Sequence, residues 1–170
     1  RIANLCMIYA IIGLSMNVTN GFAGQFSLGQ AGFMAIGAYV VGIFTVPVAA
    51  RATVFYAVPM NPAIAGIQLP VWAALLGGGL LAALVAFLIG APILRLKGDY
   101  LAIATLGFSE IIRIVITNAS SITNGALGIK DIPTLNDARY IFLATAIAFV
   151  FIAALINSSY GRAFKAIRED

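Results

Sequence analysis

From Val71 to Leu94 the chain carries no charged side chain at all, and a run of that length leaves few choices of fold. About 20 consecutive apolar residues in a helix cross the hydrocarbon core of a bilayer, whereas a soluble surface helix keeps a polar face. Four other stretches share the character: Ile2 to about Met16, Phe33 to about Ala50, Leu101 to about Thr117, and Tyr140 to Ile156. Apolar residues make up 62% of the 170, charged residues 9%, and mean hydropathy is +1.02. These values predict an all-α fold, a polytopic membrane helix bundle with about five transmembrane helices.

Composition also narrows the chemistry. The sequence has no His and a single Cys, Cys6, which argues against zinc or haem ligation, a disulfide framework and His-based acid–base catalysis. No metal or cofactor is expected. A net charge of +4 does not imply nucleic acid, because the basic residues sit mainly at the ends of apolar segments, where they set topology. Arg95 and Lys97 form one cluster, and Arg162, Lys165 and Arg168 another; two spans separate them, which puts both on one side, taken as cytoplasmic. The loops around residues 51–70 and 119–139 then face outward. Asn124-Gly125 and Pro133 supply turn chemistry in the second. Because the chain starts at Arg1 and stops at Asp170 inside an amphipathic segment, it reads as the N-terminal and central part of a longer protein.

Three segments depart from plain lipid-facing helix. Residues 17–32 are rich in Gly, Asn, Gln, Ser and Thr, and carry no charge. Such backbone is tolerated beside membrane spans where it is buried in protein or lines a watery cavity, so this region is expected to be broken or re-entrant. Its substrate-path candidates are Asn17, Asn20, Gly21, Gly24, Gln25, Ser27 and Gln30; a tight connection between packed helices is the competing reading. The fourth span carries Glu110 and Arg113 on neighbouring helix faces, within a polar stripe of Thr105, Ser109, Arg113 and Thr117. Counted from Asp99, Glu110 lies about 16 Å along the helix, near mid-membrane. Ser109, Glu110 and Arg113 are therefore intramembrane polar candidates for function, or else an internal ion pair that orients this helix. The third segment follows Asn157-Ser158-Ser159 and has Ala163, Phe164 and Ile167 on one face with Arg162, Lys165 and Arg168 on others, a short amphipathic surface helix. In the third span, Ala74, Gly78, Ala82, Ala86 and Gly90 form a small-residue row for close helix packing, and Gly77-Gly78-Gly79 is a soft point.

In order and spacing, NVTNGFAGQFSLGQAGFMAIGA (17–38), LRLKGDYLAIATLGFSEIIR (94–113) and GRAFKAIRED (161–170) resemble the permease subunits of branched-chain amino-acid ABC transporters, the LivM-type family. The resemblance covers nearly the whole chain and implies one permease domain over residues 1–170. Within it, residues 160–170 would be a short cytoplasmic coupling helix. Gly161, Arg162, Ala163, Phe164, Ala166, Ile167 and Arg168 would then seat in an ATPase groove. It further implies a second homologous permease subunit, two cytoplasmic ATP-binding subunits, an extracytoplasmic substrate-binding protein and the surrounding membrane lipid as partners. The setting would be the cytoplasmic (inner) membrane of a prokaryote, multi-pass. No P-loop is present in the sequence, so ATP hydrolysis would belong to other chains. The expected cargo is leucine, isoleucine and valine. Urea or a short amide on the same architecture is the alternative, and a membrane scaffold or channel subunit without ATPase coupling is the alternative from another class.

Overall fold

The computed structural model describes residues 2–96, 98–133 and 138–169, and among these every regular element is helical. In chain order α1 is Ile2–Met16, followed directly by a π turn, Asn17–Phe22; α2 is Gln30–Thr45, α3 Val48–Val54 and α4 Pro62–Ala65. Then come α5 Val71–Ile93, α6 Asp99–Asn118, α7 Ser120–Thr123 with a 3-10 turn at Gly125–Leu127, α8 Ala138–Asn157 and α9 Ser159–Glu169. Four described helices are long and apolar enough to cross a membrane: Ile2–Phe22, α5, α6 and α8. The pair α2 and α3, bent by 117°, makes a fifth crossing if counted as one. Lys97 of the expected basic cluster lies outside the described residues.

Two compact units divide the chain. The first is built from residues up to Ser27 together with those from 134 onward. In it α1 packs along α8, and the π turn meets both α8 and α9. Neither α1 nor α8 has a buried residue, and Leu5, Ile8, Phe142, Phe149 and Phe151 are exposed, the surface that lipid tails accept.

The second unit spans residues 28–133, and its main contact joins α2 to α5. Here the small residues act by letting backbones meet. A Cβ on Gly78 would sit 3.0 Å from the Gly37 carbonyl oxygen and 3.5 Å from its Cα. Ala74, one turn away, is 1% exposed. Further along the row Ala82, Ala86 and Gly90 are only half-buried, because a four-residue repeat drifts round a 3.6-residue helix. The Gly77-Gly78-Gly79 triplet does not interrupt α5.

The second span ends earlier than its apolar run predicts. α2 stops at Thr45, and Val46 turns extended (ψ 127°) because the ring of Pro47 disfavours helical backbone in the residue before it. Beyond the turn, Val46, Val54 and Phe55 form a small core with Ala50, Met60 and Ile129 packed on it. Beside it lies Arg51, only 4% exposed. Its Nε donates to Val46 O (3.2 Å), Nη1 to Ile64 O (2.8 Å) and Ala65 O (2.7 Å), and Nη2 to Ile43 O (3.4 Å) and Ile67 O (2.5 Å). A guanidinium has five N–H donors, and all five find a carbonyl. Those carbonyls come from the ends of α2 and α4 and the segment after α4, where helices leave acceptors unpaired and the macrodipole favours a cation. Asn124 (φ 61°, left-handed) completes this end of the unit, donating from Nδ2 to Val54 O (3.0 Å) and Gly128 O (2.7 Å).

Arg51→Met is expected to destabilise the full-length protein by about 3–5 kcal/mol, because it strands buried carbonyls. Arg51→Lys, with three donors on a point charge, recovers part of that loss. Thermal unfolding in detergent checks the order; equal stability of all three proteins would contradict the assignment.

Candidate functional site

The uncharged polar stretch does not unwind where its composition suggests. Asn17, Asn20 and Gly21 continue α1 as a π turn, a wide i→i+5 geometry that recurs at functional positions. Asn17 Oδ1 lies where a Cβ on residue 21 would be, so Gly21 leaves room for the folded-over carboxamide. Only residues 23–29 lack helical structure. Within them Gly24 takes φ 65°, the left-handed region that glycine enters without steric cost, and there the backbone changes direction.

Three hydrogen bonds in the first half of this break are made locally. Ala23 N donates to Val18 O (3.1 Å), Gln25 N to Thr19 O (3.1 Å), and Ser27 N to the Asn20 side-chain oxygen (3.1 Å). Asn20 thus holds the loop in shape. Residue 28 begins the second unit, and there α6 supplies the partners. Leu28 N donates to Thr105 Oγ1 (3.0 Å), and Ser109 Oγ donates to Leu28 O (3.3 Å). Thr105 and Ser109 are roughly 9 and 15 Å along α6 from Asp99. The end of the break is therefore fixed well inside the length of a spanning helix.

From that depth α2 sets off. Its first turn is pressed onto α6 at Gly32, where a Cβ would meet Ser109 Cα at 3.0 Å and Ile112 Cδ1 at 2.9 Å. Beside this contact opens a recess of about 490 Å³ lined by Ala31, Gly32, Ala35, Leu106, Ser109, Glu110 and Arg113. Glu110 and Arg113 face it as a bidentate pair: Arg113 Nε donates to Glu110 Oε2 (2.9 Å) and Nη2 to Oε1 (2.5 Å). The pair forms as its spacing allows, and within this chain it lies on an open face of α6. The side chains are 71% (Arg113) and 51% (Glu110) exposed. Thr117, the far end of the expected stripe, only bonds back to Arg113 O (2.7 Å).

The substrate-path candidates thus fall in two places. Asn17, Asn20, Gly21, Gly24, Gln25 and Ser27 belong to the first unit, while Gln30 joins Ser109, Glu110 and Arg113 in the second. Sequence reasoning missed the small-residue wall of the recess, and it read Leu28 only for its apolar side chain, which gives no sign that its backbone is the anchored group. Thr105 was visible as part of a stripe, without its partner.

The amphipathic segment forms α9 and lies against the π turn and α8. Ser158 makes the corner: its N donates to Leu155 O (3.2 Å), its Oγ accepts from Tyr160 N (3.2 Å), and Arg162 N donates to its carbonyl (3.3 Å). Gly161 is buried, and any Cβ there would collide with the Ile156 backbone, so glycine is what allows the tight corner. Arg162, Ala163 and Ala166 are exposed; the side chains of Phe164, Ile167 and Arg168 lie outside the described ones.

Comparison with known proteins bears on all of this. A family model described as "Branched-chain amino acid transport system / permease component" matches residues 1–170. The "High-affinity branched-chain amino acid transport system permease protein LivM" of Escherichia coli is 45% identical over 132 residues, 78% of this chain and 27% of that protein. Its Salmonella typhimurium namesake is 43% identical over the same shares. A "Probable branched-chain amino acid transport permease protein LivM" from Methanocaldococcus jannaschii is 28% identical over 96% of this chain and 54% of its own length. The chain thus spans about a quarter to a half of these curated relatives. No solved structure matches it.

Two substitutions test the local geometry in the full-length protein. Gly161→Ala is expected to displace α9, at a cost of about 1–3 kcal/mol, and to speed amide hydrogen exchange across residues 155–165. Ala163→Ser, on the exposed face, leaves exchange as it is. Asn20→Leu removes the acceptor for Ser27 N and is expected to cost about 1–2 kcal/mol, whereas Asn20→Asp keeps it; unfolding midpoints that fail to separate the two would contradict the hydrogen bond.

Proposed function

The chain belongs to the family of permease components of branched-chain amino acid transport systems, and on that premise we propose that it is the membrane-spanning part of an ATP-driven importer of leucine, isoleucine and valine. It is a multi-pass membrane protein of a transport family. In the proposed assembly a second permease subunit stands beside it, two ATP-binding subunits work from the cytoplasm, and an extracytoplasmic binding protein delivers cargo. The membrane is the inner one of a prokaryote.

What carries this reading is the match of the family to residues 1–170. The geometry supports it in two ways. An uncharged break anchored along α6 is the kind of element transporters place beside a substrate path. In the first unit Asn17, Asn20, Gln25 and Ser27 offer polar groups and Phe22 and Phe26 apolar ones; in the second, Gln30 is polar and the Leu28 side chain apolar. The second support is α9. In the proposed role Gly161, Arg162, Ala163, Phe164, Ala166, Ile167 and Arg168 engage an ATPase groove, and closure of the ATPases moves the helix. Because α9 lies against the π turn, its displacement reaches Asn17–Phe22 with no intervening element. Alternating access follows if that motion changes which side of the membrane the break faces.

The experiment is uptake of radiolabelled leucine by cells deleted for the full-length gene and for other leucine carriers. Loss on deletion and recovery on complementation is the expected result. Unchanged uptake in that background would overturn the cargo assignment, and urea and short amides would be assayed next.

A further inference from the structure

Glu110 and Arg113 stand near the middle of α6, about 16 Å from its Asp99 end, with half or more of each side chain exposed. Charged groups at that depth do not face lipid tails; they turn to a water-filled path or to protein. The recess they border is otherwise lined by the small residues Ala31, Gly32 and Ala35, by Leu106 and by the Ser109 hydroxyl. At about 490 Å³ it falls in the range, roughly 300–1,000 Å³, of small-molecule sites.

We propose that this recess receives an amino-acid zwitterion in passage, with Arg113 taking the α-carboxylate and Glu110 the α-ammonium. The aliphatic side chain then lies against Ala31, Ala35 and Leu106. The chemistry is complementary at both ends. A guanidinium meets a carboxylate in bidentate fashion, and a carboxylate accepts from an ammonium. The pair is electrically neutral, and so is a zwitterion, so the exchange of one ion pair for two leaves no charge uncompensated in a medium where that is costly. Ser109 holds Leu28 O, so the anchored end of the break and the recess share a residue. A guest that opens the pair therefore acts next to the segment proposed to move. An uncharged cargo such as urea can hydrogen-bond to the same two groups but brings no charge to either.

This inference rests on the transport reading, and its test separates the two. Full-length protein is reconstituted in proteoliposomes with its ATP-binding, permease and binding-protein partners, and leucine moved per ATP hydrolysed is measured. In complexes of normal subunit stoichiometry, Glu110→Gln and Arg113→Gln are expected to lower that ratio about tenfold or more. The charge exchange Glu110→Arg with Arg113→Glu keeps an ion pair but places the charges the wrong way round, and the ratio stays low. If the exchange restores wild-type coupling, the pair is an orienting contact and the proposal falls. Wild-type ratios in the single variants, or loss of assembly in all three proteins, also overturn it. Failure of the wild-type protein to move leucine at all would instead sink the transport reading, and this subsite with it.

Discussion

Lipid offers no hydrogen bonds, so every amide and carbonyl that leaves a helix inside the membrane must find a partner in the protein. Among the described residues, two of the breaks between helices show how such groups are satisfied. At residues 23–29 the partners are the π turn behind it, the Asn20 carboxamide, and the Thr105 and Ser109 hydroxyls of α6. Beyond Thr45 the partner is one arginine, whose five donors gather carbonyls from α2, α4 and the residues that follow. Between those two anchor points runs α2, pressed onto α6 at Gly32 and onto α5 at Gly37 and Gly78.

The two anchors differ in strength. Arg51 is buried and fully paired, as suits a fixed point. The hydroxyl contacts at Leu28 are single neutral hydrogen bonds, each worth about 1 kcal/mol net. An element that has to rearrange during transport is better held by contacts of the second kind, because low local stability is what permits motion. The π turn belongs with it, since an i→i+5 turn converts to an ordinary helical turn by shifting one residue.

How far the sequence could be read follows from the range of the interactions involved. α5 and α8 were legible from apolar length alone, and the Glu110–Arg113 pair and the Asn124 turn from local spacing. Pro47 was a local signal for the early end of α2, but the continuous hydropathy on either side masked it. Arg51 stood in an apparent outward loop, and its role arises from carbonyls 5 to 16 residues away that come together only after folding. The π turn was unreadable for another reason: Asn and Gly disfavour helix, while continuity with α1 and packing on α8 and α9 override that preference. Gly161 was seen as part of a motif, whereas the structure gives its reason in the Ile156 backbone.

The anchoring of α2 depends on Leu28 lying level with Thr105 and Ser109, well inside the length of a spanning helix. A nitroxide on Leu28→Cys, in full-length protein freed of other reactive thiols and reconstituted in bilayers, reports that depth through its accessibility to lipid-soluble oxygen and to an aqueous nickel chelate. Labels on Asp99→Cys and Asn118→Cys provide the two ends of the scale. The expected immersion of residue 28 falls between those ends, roughly 9–15 Å from the Asp99 level. A value equal to that of residue 99 would place Leu28 at the interface and contradict that anchoring.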